Sequence, residues 1–333
     1  MRVLFAIAHL GKGGGVALQA FQLYRNLRRL IDIRLVCLDA RGPHRALTQE
    51  PGVSVAGTLG FPTGILSLRK ALRSSRRDFD LFHILDPFYA SPAAYLARVT
   101  PRVVSLGTDP GREIADRFRH YRPRVIPNGL DRTKFEHLPT REDARKRLGL
   151  PPERTILSYV GKVIPEKRVE WLLEIARHLP NVEAVIVGGY SEEYYGDRYY
   201  RSLLSKYADI RERTRFVGEV SWDLVPSYLA ASDVFVYPSP WEGSPNAVME
   251  AMAAGLPVVV SDIPAHREIV EHGKTGFIAR DPQSMTRFAD TLERDPGLRE
   301  EIGSRARALV FERFSMEACA QAHLEFYRSI LAS

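Results

Sequence analysis

The sequence predicts an α/β fold made of two doubly wound units, and three observations lead to this prediction. The chain has 333 residues, about two domains at roughly 100 to 200 residues each. Hydrophobic residues make up 45% of it and charged residues 26%, which is typical of a globular protein and excludes a disordered or fibrous one. Short runs rich in Val, Ile and Leu alternate with helical patterns in two successive series.

The apolar runs of both series are continuous rather than alternating, which indicates strands covered on both faces in a parallel sheet. The first series predicts strands at 2–8, 32–38, 53–58, 80–85, 102–106 and 124–126. The second series predicts strands at 155–160, 182–187, 214–217, 233–237, 257–260 and 276–279. Two such units offer a ligand site at the carboxyl ends of their strands, in a cleft where the units face each other.

A linker is expected between the two series, because residues 127–152 combine charged side chains with many turn formers. These turn formers are Pro127, Asn128, Gly129, Pro139, Gly149, Pro151 and Pro152. We therefore expect a first domain over residues 1–135, a second domain over residues 136–314 and a closing helix at 315–331.

The start of the chain is expected to be a buried strand that enters a loop. Gly11, Lys12 and three more glycines stand where the apolar core of a secretory signal would continue. No apolar stretch approaches the ~18 residues of a membrane-spanning helix. The two cysteines, Cys37 and Cys319, are too few for a disulfide framework. These features favour a cytoplasmic protein.

Positive charge is concentrated in the first domain. Residues 1–135 contain 22 Lys+Arg against 10 Asp+Glu, whereas the rest of the chain contains 25 against 30. One stretch combines cations with an apolar stripe, and it carries Ile65, Leu66, Leu68, Arg69, Lys70, Leu72, Arg73, Arg76 and Arg77. Such a stretch is typical of a helix on an anionic membrane surface, and also of a solvated helix face. Nucleic acid is not an expected partner, because no basic run interleaves with stacking aromatic residues.

A glycine-rich loop follows the first strand and precedes a helical pattern. Gly14 and Gly15 let backbone N–H groups approach a phosphate closely at the helix start. The loop does not match a dinucleotide fingerprint, because Val16 stands where that motif requires glycine. A turn without a ligand is the alternative interpretation.

Residues 238–257 form the most informative segment, in which a strand runs into a Pro/Gly turn and then into a helix. Ser244 is expected to cap this helix and Pro245 to be its first residue. The N–H groups of Asn246 and Ala247 would then be free to bind a diphosphate. Glu242 lies in the turn and Glu250 nearly two turns into the helix, so we expect the carboxylates to bracket the phosphate rather than pair.

The two carboxylates suit different parts of an activated sugar. One can accept hydrogen bonds from a vicinal diol such as a ribose, and the other can contact sugar hydroxyls or a developing positive centre. A second loop, from Gly161 to Lys167, closes the first strand of the second series. Lys162 and Lys167 in this loop are point charges suited to a leaving diphosphate. The alternative is a pair of ordinary surface lysines.

Taken in order and spacing, these motifs resemble glycosyltransferase family 4. The resemblance rests on the Glu-x7-Glu arrangement from Glu242 to Glu250, the linker entry at 125–131, the loop at 161–167 and the Gly14–Gly15 loop. It covers nearly all of residues 125–333 and, more loosely, residues 1–110. It implies a retaining, metal-independent enzyme of the GT-B fold, with two Rossmann-like domains facing a central cleft.

The resemblance also implies roles for single residues, by position. Glu250 would hold the ribose hydroxyls, and Lys162 and Lys167 would hold the diphosphate of a nucleoside-diphosphate sugar. The sugar would contact Glu242 together with Gly243, Ser244, Pro245 and Asn246. Gly14 and Gly15 would close on the diphosphate from the first domain, on which the helix at 315–331 would pack back.

The first domain departs from the family pattern. Leu106 stands where many members have a histidine that contacts the donor sugar, and residues 111–121 replace a longer segment. In the second domain Lys162 stands where the family usually has arginine, so the charge is kept but the bidentate fork is lost. These departures leave open a sugar-nucleotide-binding protein with little or no transferase activity.

We therefore expect a cytoplasmic retaining glycosyltransferase, peripheral on the inner face of the membrane, that moves a sugar from a nucleoside-diphosphate sugar to a lipid-linked or glycan acceptor. A soluble acceptor, such as a phosphorylated sugar, is another possibility. No cofactor is expected, because the nucleotide sugar is a substrate. No metal site is expected either, since Asp78 and Asp80 have no further oxygen ligands nearby in the sequence.

Overall fold

The computed structural model describes residues 1–9, 15–39, 49–56, 63–75, 77–84, 126–190 and 197–332. The chain divides into two compact units. The first contains Met1–Gly129 and Ser315–Ser333, and the second contains Leu130–Phe314. The chain enters the second unit six residues before the boundary expected from the sequence.

The first unit is a parallel sheet with helices on both faces. Its described elements before the linker are β1 (Arg2–His9), α1 (Gly15–Leu27), β2 (Asp32–Asp39), β3 (Val53–Val55), α2 (Thr63–Ser74) and β4 (Leu81–Ile84). The strands pair in the order β3-β2-β1-β4, and every pairing is parallel. The strands predicted at 102–106 and 124–125 lie outside the described residues.

Strand β1 explains why the apolar runs are continuous. Val3, Phe5 and Ile7 belong to a buried cluster that includes α1 and the C-terminal helix, Met316–Ala332. Leu4 and Ala6 belong to a second cluster that includes residues of α2. Each side chain from Val3 to Ile7 therefore enters a core, as a doubly covered parallel strand requires.

The apolar stripe of α2 serves this second core. Ile65, Leu68 and Leu72 are buried against the sheet, and of the four apolar residues in the stripe only Leu66 is exposed. The expectation of an apolar face free to enter a membrane surface is therefore wrong for this helix. The reason is that a helix beside an open sheet must cover it.

The second unit begins with a short 3-10 helix at Arg132–Phe135. It continues with α3 (Arg141–Leu148), β5 (Thr155–Val160), a 3-10 turn (Pro165–Lys167), α4 (Glu170–His178), β6 (Val182–Val187), α5 (Arg198–Lys206), a 3-10 segment (Ala208–Arg213), β7 (Thr214–Gly218), α6 (Val225–Ala230) and β8 (Val234–Tyr237). The remaining elements are α7 (Asn246–Ala253), β9 (Val258–Ser261), α8 (Pro264–Ile269), β10 (Gly276–Ala279), α9 (Pro282–Arg294) and α10 (Pro296–Arg313). The C-terminal helix, α11 (Met316–Ala332), returns to the first unit.

The strand order of the second sheet identifies a place for a ligand. The six parallel strands pair in the order β10-β9-β8-β5-β6-β7, so the order reverses between β5 and β8. In open α/β sheets ligands bind at such a switch point, outside the carboxyl ends of the strands. All six strands predicted for the second series are present, and the doubly wound fold class is confirmed.

A buried ion cluster fixes β8 beside β5 at the opposite end of these strands. The carboxylate of Asp233, just before β8, accepts hydrogen bonds from Arg141, Arg145 and the backbone N–H of Ile156. Arg145 is itself buried and also donates to the carbonyl of Ala231. Such charge-assisted bonds set the relative position of the two strands that flank the switch point.

Candidate functional site

The loop after β5 begins with a glycine that no other residue can replace without strain. Gly161 has a φ of 155°, and a Cβ placed there would lie 2.7 Å from the hydroxyl oxygen of Tyr159. That hydroxyl donates to the carbonyl of Lys162 at 3.0 Å, and the Gly161 N–H donates to the carbonyl of Val187 at 2.9 Å. The chain is thereby turned sharply at the carboxyl end of the strand.

The same loop places Lys167 at the end of a 3-10 turn. The next residue, Arg168, has a left-handed φ of 51° and donates its N–H to the carbonyl of Pro165 at 3.1 Å. A non-glycine residue in this region is uncommon and is maintained by its surroundings. Lys162 is exposed, and within the described residues its ammonium forms no hydrogen bond or ion pair.

The loop after β8 supplies the partners of Lys167. The ammonium of Lys167 donates to Oε1 of Glu242 and lies 3.4 Å from Oγ of Ser239. Their side chains are only 20% and 12% exposed, so the ion pair is largely shielded from water. An ammonium has three donors, and these two contacts leave one for a ligand.

Tyr237 contacts both members of this ion pair. Its ring centroid lies 5.9 Å from Nζ of Lys167 and its hydroxyl hydrogen-bonds to Glu242. Burial first of all, and then Tyr159 and Glu242, raise the pKa of Tyr237 well above its usual range. The phenol is therefore neutral and acts as a donor to the carboxylate.

Helix α7 starts one residue later than the sequence predicts. Its cap is Pro245, with no side-chain capping bond, and its first residue is Asn246. The expectation that Ser244 caps the helix and Pro245 opens it is therefore wrong. Pro245 has a ψ of 72°, outside the helical range, while its carbonyl accepts from Val248 and Met249.

This start leaves fewer backbone donors than expected. The N–H of Asn246 donates to the carbonyl of Ser244 at 2.9 Å. The N–H groups of Val248 and Met249 donate to the carbonyl of Pro245. The N–H of Ala247 has no hydrogen-bond partner among the described residues. An anion at this helix start would thus meet one available donor from the first turn, beside the partly buried Gly243.

Glu250 lies on α7 with its side chain partly buried. Burial raises its pKa to about 7, and the positive charge of Lys134 partly offsets this effect. Lys134 belongs to the 3-10 helix Arg132–Phe135 and lies 3.7 Å from a carboxylate oxygen of Asp223. Lys134 was not expected at the site, because nothing in the sequence links residue 134 to a helix that begins at 246.

Three further residues were also missed by the sequence analysis. Ser239, Ser261 and His266 are buried behind the ion pair and hydrogen-bonded to one another. Single serines and a single histidine carry no spacing signal. Only the pairing of β8 with β9 brings them together.

The expected contribution of the first domain is mostly beyond the described residues. Gly14 and Leu106 lie outside them, and Gly15 is described only as the first residue of α1. In the described part of the chain, no group of three His, Cys, Asp or Glu residues is arranged to hold a metal ion. No helix there is long and apolar enough to span a bilayer.

The chain belongs to the family described as glycosyl transferases group 1, whose sequence profile matches residues 140–309. It is 32% identical over 195 residues to the UDP-Gal:alpha-D-GlcNAc-diphosphoundecaprenol alpha-1,3-galactosyltransferase of Escherichia coli, covering 55% of this chain and 48% of that protein. It is 29% identical over 216 residues to an uncharacterized glycosyltransferase of Methanocaldococcus jannaschii, covering 62% and 53%. The chain thus spans about half the length of these curated relatives.

Solved structures agree on the fold over the whole chain. The crystal structure of Anabaena HepE in complex with UDP and glucose superposes with a TM-score of 0.80 at 22% identity, covering 99% of this chain and all of that one. A glycosyltransferase from Rickettsia africae superposes with a TM-score of 0.83 at 16% identity, covering 99% and 98%. The fold is GT-B, as the sequence predicts.

Proposed function

We propose that the chain is a retaining glycosyltransferase that moves a sugar from a nucleoside-diphosphate sugar to a lipid-linked or glycan acceptor without a metal ion. The observation that carries the proposal is the shielded Lys167–Glu242 pair at the switch point of the second sheet. The family supports transfer of a sugar. The name of the E. coli relative, which combines a UDP-sugar with a diphospho-lipid, supports these classes of donor and acceptor.

The donor is held by residues on both sides of the switch point. Glu250 accepts hydrogen bonds from the ribose hydroxyls, which a partly buried carboxylate does well once it is ionised. Lys167, the exposed Lys162 and the N–H of Ala247 bind the diphosphate. Glu242 contacts the transferred sugar, beside the backbone of residues 243–246.

Diphosphate binding changes the partners of Lys167. In the free protein its ammonium is neutralised by Glu242. A diphosphate carries more negative charge than the single carboxylate of Glu242. It can therefore accept a hydrogen bond from the remaining N–H of the Lys167 ammonium. Glu242 keeps its bond from the neutral Tyr237 and becomes freer to accept from a sugar hydroxyl.

The reaction follows from this placement of charge. The bond between the anomeric carbon and the phosphate oxygen breaks, and the electron pair stays on the departing diphosphate. The acceptor hydroxyl forms its new bond on the same face, and its proton passes to the diphosphate. Lys167, Lys162 and the Ala247 N–H stabilise the leaving charge by electrostatic preorganisation, the role that a divalent cation plays in other enzymes.

A donor panel tests the proposal. The purified chain is incubated with UDP-, GDP- and ADP-sugars, and hydrolysis and transfer are measured in the presence and absence of EDTA. We expect turnover of at least one donor, unaffected by EDTA, with the configuration at the anomeric carbon retained. Tight donor binding without turnover would instead favour a sugar-nucleotide-binding protein.

Replacement of Lys167 by alanine tests the site itself. Removing one donor from a preorganised site typically lowers the rate by about 100- to 1,000-fold, and we expect this loss in kcat for Lys167→Ala. The matched control is Lys274→Ala, an exposed lysine in the turn that precedes β10, at the other edge of the sheet. Equal activity of the two variants would remove Lys167 from the site.

Peripheral membrane attachment rests on charge alone, because the apolar stripe of α2 is buried. The exposed Lys70, Arg73 and Arg77 leave a cationic surface on the first unit. We expect the chain to sediment with vesicles containing phosphatidylserine at low salt and to be released at high salt, where screening is strong. Absence of sedimentation at low salt would contradict membrane attachment without affecting the proposed reaction.

A further inference from the structure

We propose that His266 is a positioning residue, whose neutral imidazole holds the end of β9 and, through Ser261 and Ser239, the turn that carries Glu242. This inference rests on the proposed function. It assigns a role to a residue outside the Glu-x7-Glu segment and outside the lysine loop.

The hydrogen atom on His266 can be assigned from its partner. The side chain is fully buried, and Nδ1 lies 2.8 Å from the backbone carbonyl oxygen of Ser261. A carbonyl oxygen can only accept, so Nδ1 carries the hydrogen and donates it. In the neutral ring Nε2 is then a bare lone pair, and it has no hydrogen-bond partner among the described residues.

Two serines connect this bond to the ion pair. Oγ of Ser261, itself 3.3 Å from Nδ1, donates to the backbone carbonyl of Ser239. Oγ of Ser239 donates to the carbonyl of Trp241 at 2.9 Å and accepts from Nζ of Lys167 at 3.4 Å. Glu242 is the next residue after Trp241, so the network fixes the backbone from which the catalytic carboxylate projects.

The surroundings favour the neutral ring. The titratable groups that face His266 are Lys167 from the loop after β5, and Tyr237 and Glu242 from β8 and the turn after it. Burial lowers the pKa of His266 to about 4 and Lys167 adds to this effect, whereas the Ser261 carbonyl and Glu242 oppose it. A second hydrogen on the ring would sit at Nε2, where no described group accepts it.

Burial also excludes a direct chemical role. No atom of a side chain with 0% exposure reaches a bound sugar or phosphate. His266 therefore acts through Ser261. A displacement of about 1 Å in a reacting group typically costs on the order of 100-fold in rate, so small movements of this turn matter.

Three substitutions separate positioning from simple stability. In His266→Asn the side-chain amide nitrogen takes the place of Nδ1 and can still donate to the Ser261 carbonyl. His266→Leu keeps the volume and loses the donor. The control is Ile269→Val on the same helix, a buried core position that is expected to lower stability by about 0.5–1.5 kcal/mol without touching Ser261.

We expect His266→Leu to lower kcat by about 10- to 100-fold with a smaller change in KM, because the loss concerns the placement of Glu242. His266→Asn should restore kcat to within about threefold of the original chain, and Ile269→Val should match it. Equal losses in the Leu and Asn variants, or a kcat loss in Ile269→Val as large as in His266→Leu, would overturn the inference.

Crystal structures of the variants test the same point without turnover. In His266→Leu the Glu242 carboxylate should move away from Lys167, and in His266→Asn it should stay. An unmoved pair in His266→Leu would also overturn the inference. If the unaltered chain turns over no donor but the pair moves as expected, the proposed function fails and the positioning role stands.

Discussion

Lys167 and Glu242 are 75 positions apart in sequence, yet their side chains form one shielded ion pair. The sequence indicates each residue separately, Lys167 as a lysine in the loop that closes a strand and Glu242 as an acid in the turn before a helix. Their direct pairing was not expected, because the sequence gives no distance between two loops. The pairing of β5 with β8 supplies that distance.

Glu250 has an effect on stability that depends on pH. The folded chain raises its pKa from 4.5 to about 7, so between these values the folded state binds more protons than the unfolded state. Stability therefore falls as the pH rises from about 4.5 to 7. Above about pH 7 the carboxylate is ionised in the folded state, and the full free-energy cost of its partly buried charge then lowers the stability of the chain.

Glu250→Gln removes this cost. We expect the free energy of unfolding at pH 8 to rise by about 1–3 kcal/mol relative to the original chain, and to be nearly unchanged at pH 4.5. Loss of a charged acceptor should at the same time raise the UDP dissociation constant about tenfold or more. Urea unfolding at both pH values and calorimetric titration with UDP measure the two effects.

The exposed Glu300 on α10 provides the control for this experiment. Glu300→Gln should change neither the pH slope of stability nor UDP binding. In Glu250→Gln the remaining slope should come from the buried His266 and His83, whose pKa values are both lowered, and stability should fall as the pH falls below about 6.5. A Glu250→Gln chain that is less stable than the original at pH 8 would contradict the assignment.

At the scale of elements, the sequence predicts best those strands and helices whose residue pattern repeats over several positions. Mostly apolar runs identified all six strands of the second sheet, because doubly covered strands such as β5, β6, β8 and β9 are buried at nearly every position. The start of α7 was misplaced by one residue, since proline favours the first helical position whereas Pro245 here precedes it as the cap. The apolar stripe of α2 packs on the sheet and not on a membrane. Helix amphipathicity alone does not distinguish these two surfaces.

The loop after β5 depends on a single glycine. In Gly161→Ala the new methyl group meets both an unfavourable φ and the Tyr159 hydroxyl at 2.7 Å. We expect a loss of about 2–4 kcal/mol in the free energy of unfolding, because the strain of a φ that L side chains rarely adopt and the overpacking add. Thermal and urea unfolding measure this loss, and weaker UDP binding should accompany it.

Gly149 offers a matched comparison for Gly161. It caps α3 with a φ of 62°, and a Cβ there would have open space around it. Gly149→Ala should therefore cost only the backbone strain, about 1–2 kcal/mol, and leave UDP binding unchanged. Combining Gly161→Ala with Tyr159→Phe should recover part of the loss. No recovery would show that crowding at the Tyr159 hydroxyl is not the cause.

At the scale of the whole molecule, the first unit is built from two distant stretches of chain. Helix α11 carries Cys319, Leu324 and Tyr327 into the same core as β1 and α1. The hydroxyl of Tyr327 lies 2.6 Å from Nδ1 of the buried His83 on β4. Burial and the neighbouring His323 hold the pKa of His83 well below its usual range, so the ring is neutral.

Tyr327→Phe leaves the Nδ1 of His83 without this partner. We expect a loss of about 1–3 kcal/mol in the free energy of unfolding, the cost of an unsatisfied buried polar group. Tyr190→Phe, at an exposed tyrosine of the second unit, should have almost no effect. A Tyr327→Phe chain as stable as the original in urea would show that this bond contributes little.

The divided first unit has a consequence for how the protein is made. A ribosome completes the chain of the second unit at Phe314, before it reaches the helix that covers β1 and α1. Domains usually fold in the order of their synthesis, the N-terminal one first. Here the ribosome synthesises the N-terminal part of the first unit and then the whole second unit. Only afterwards does it synthesise α11, the helix that completes the core of the first unit.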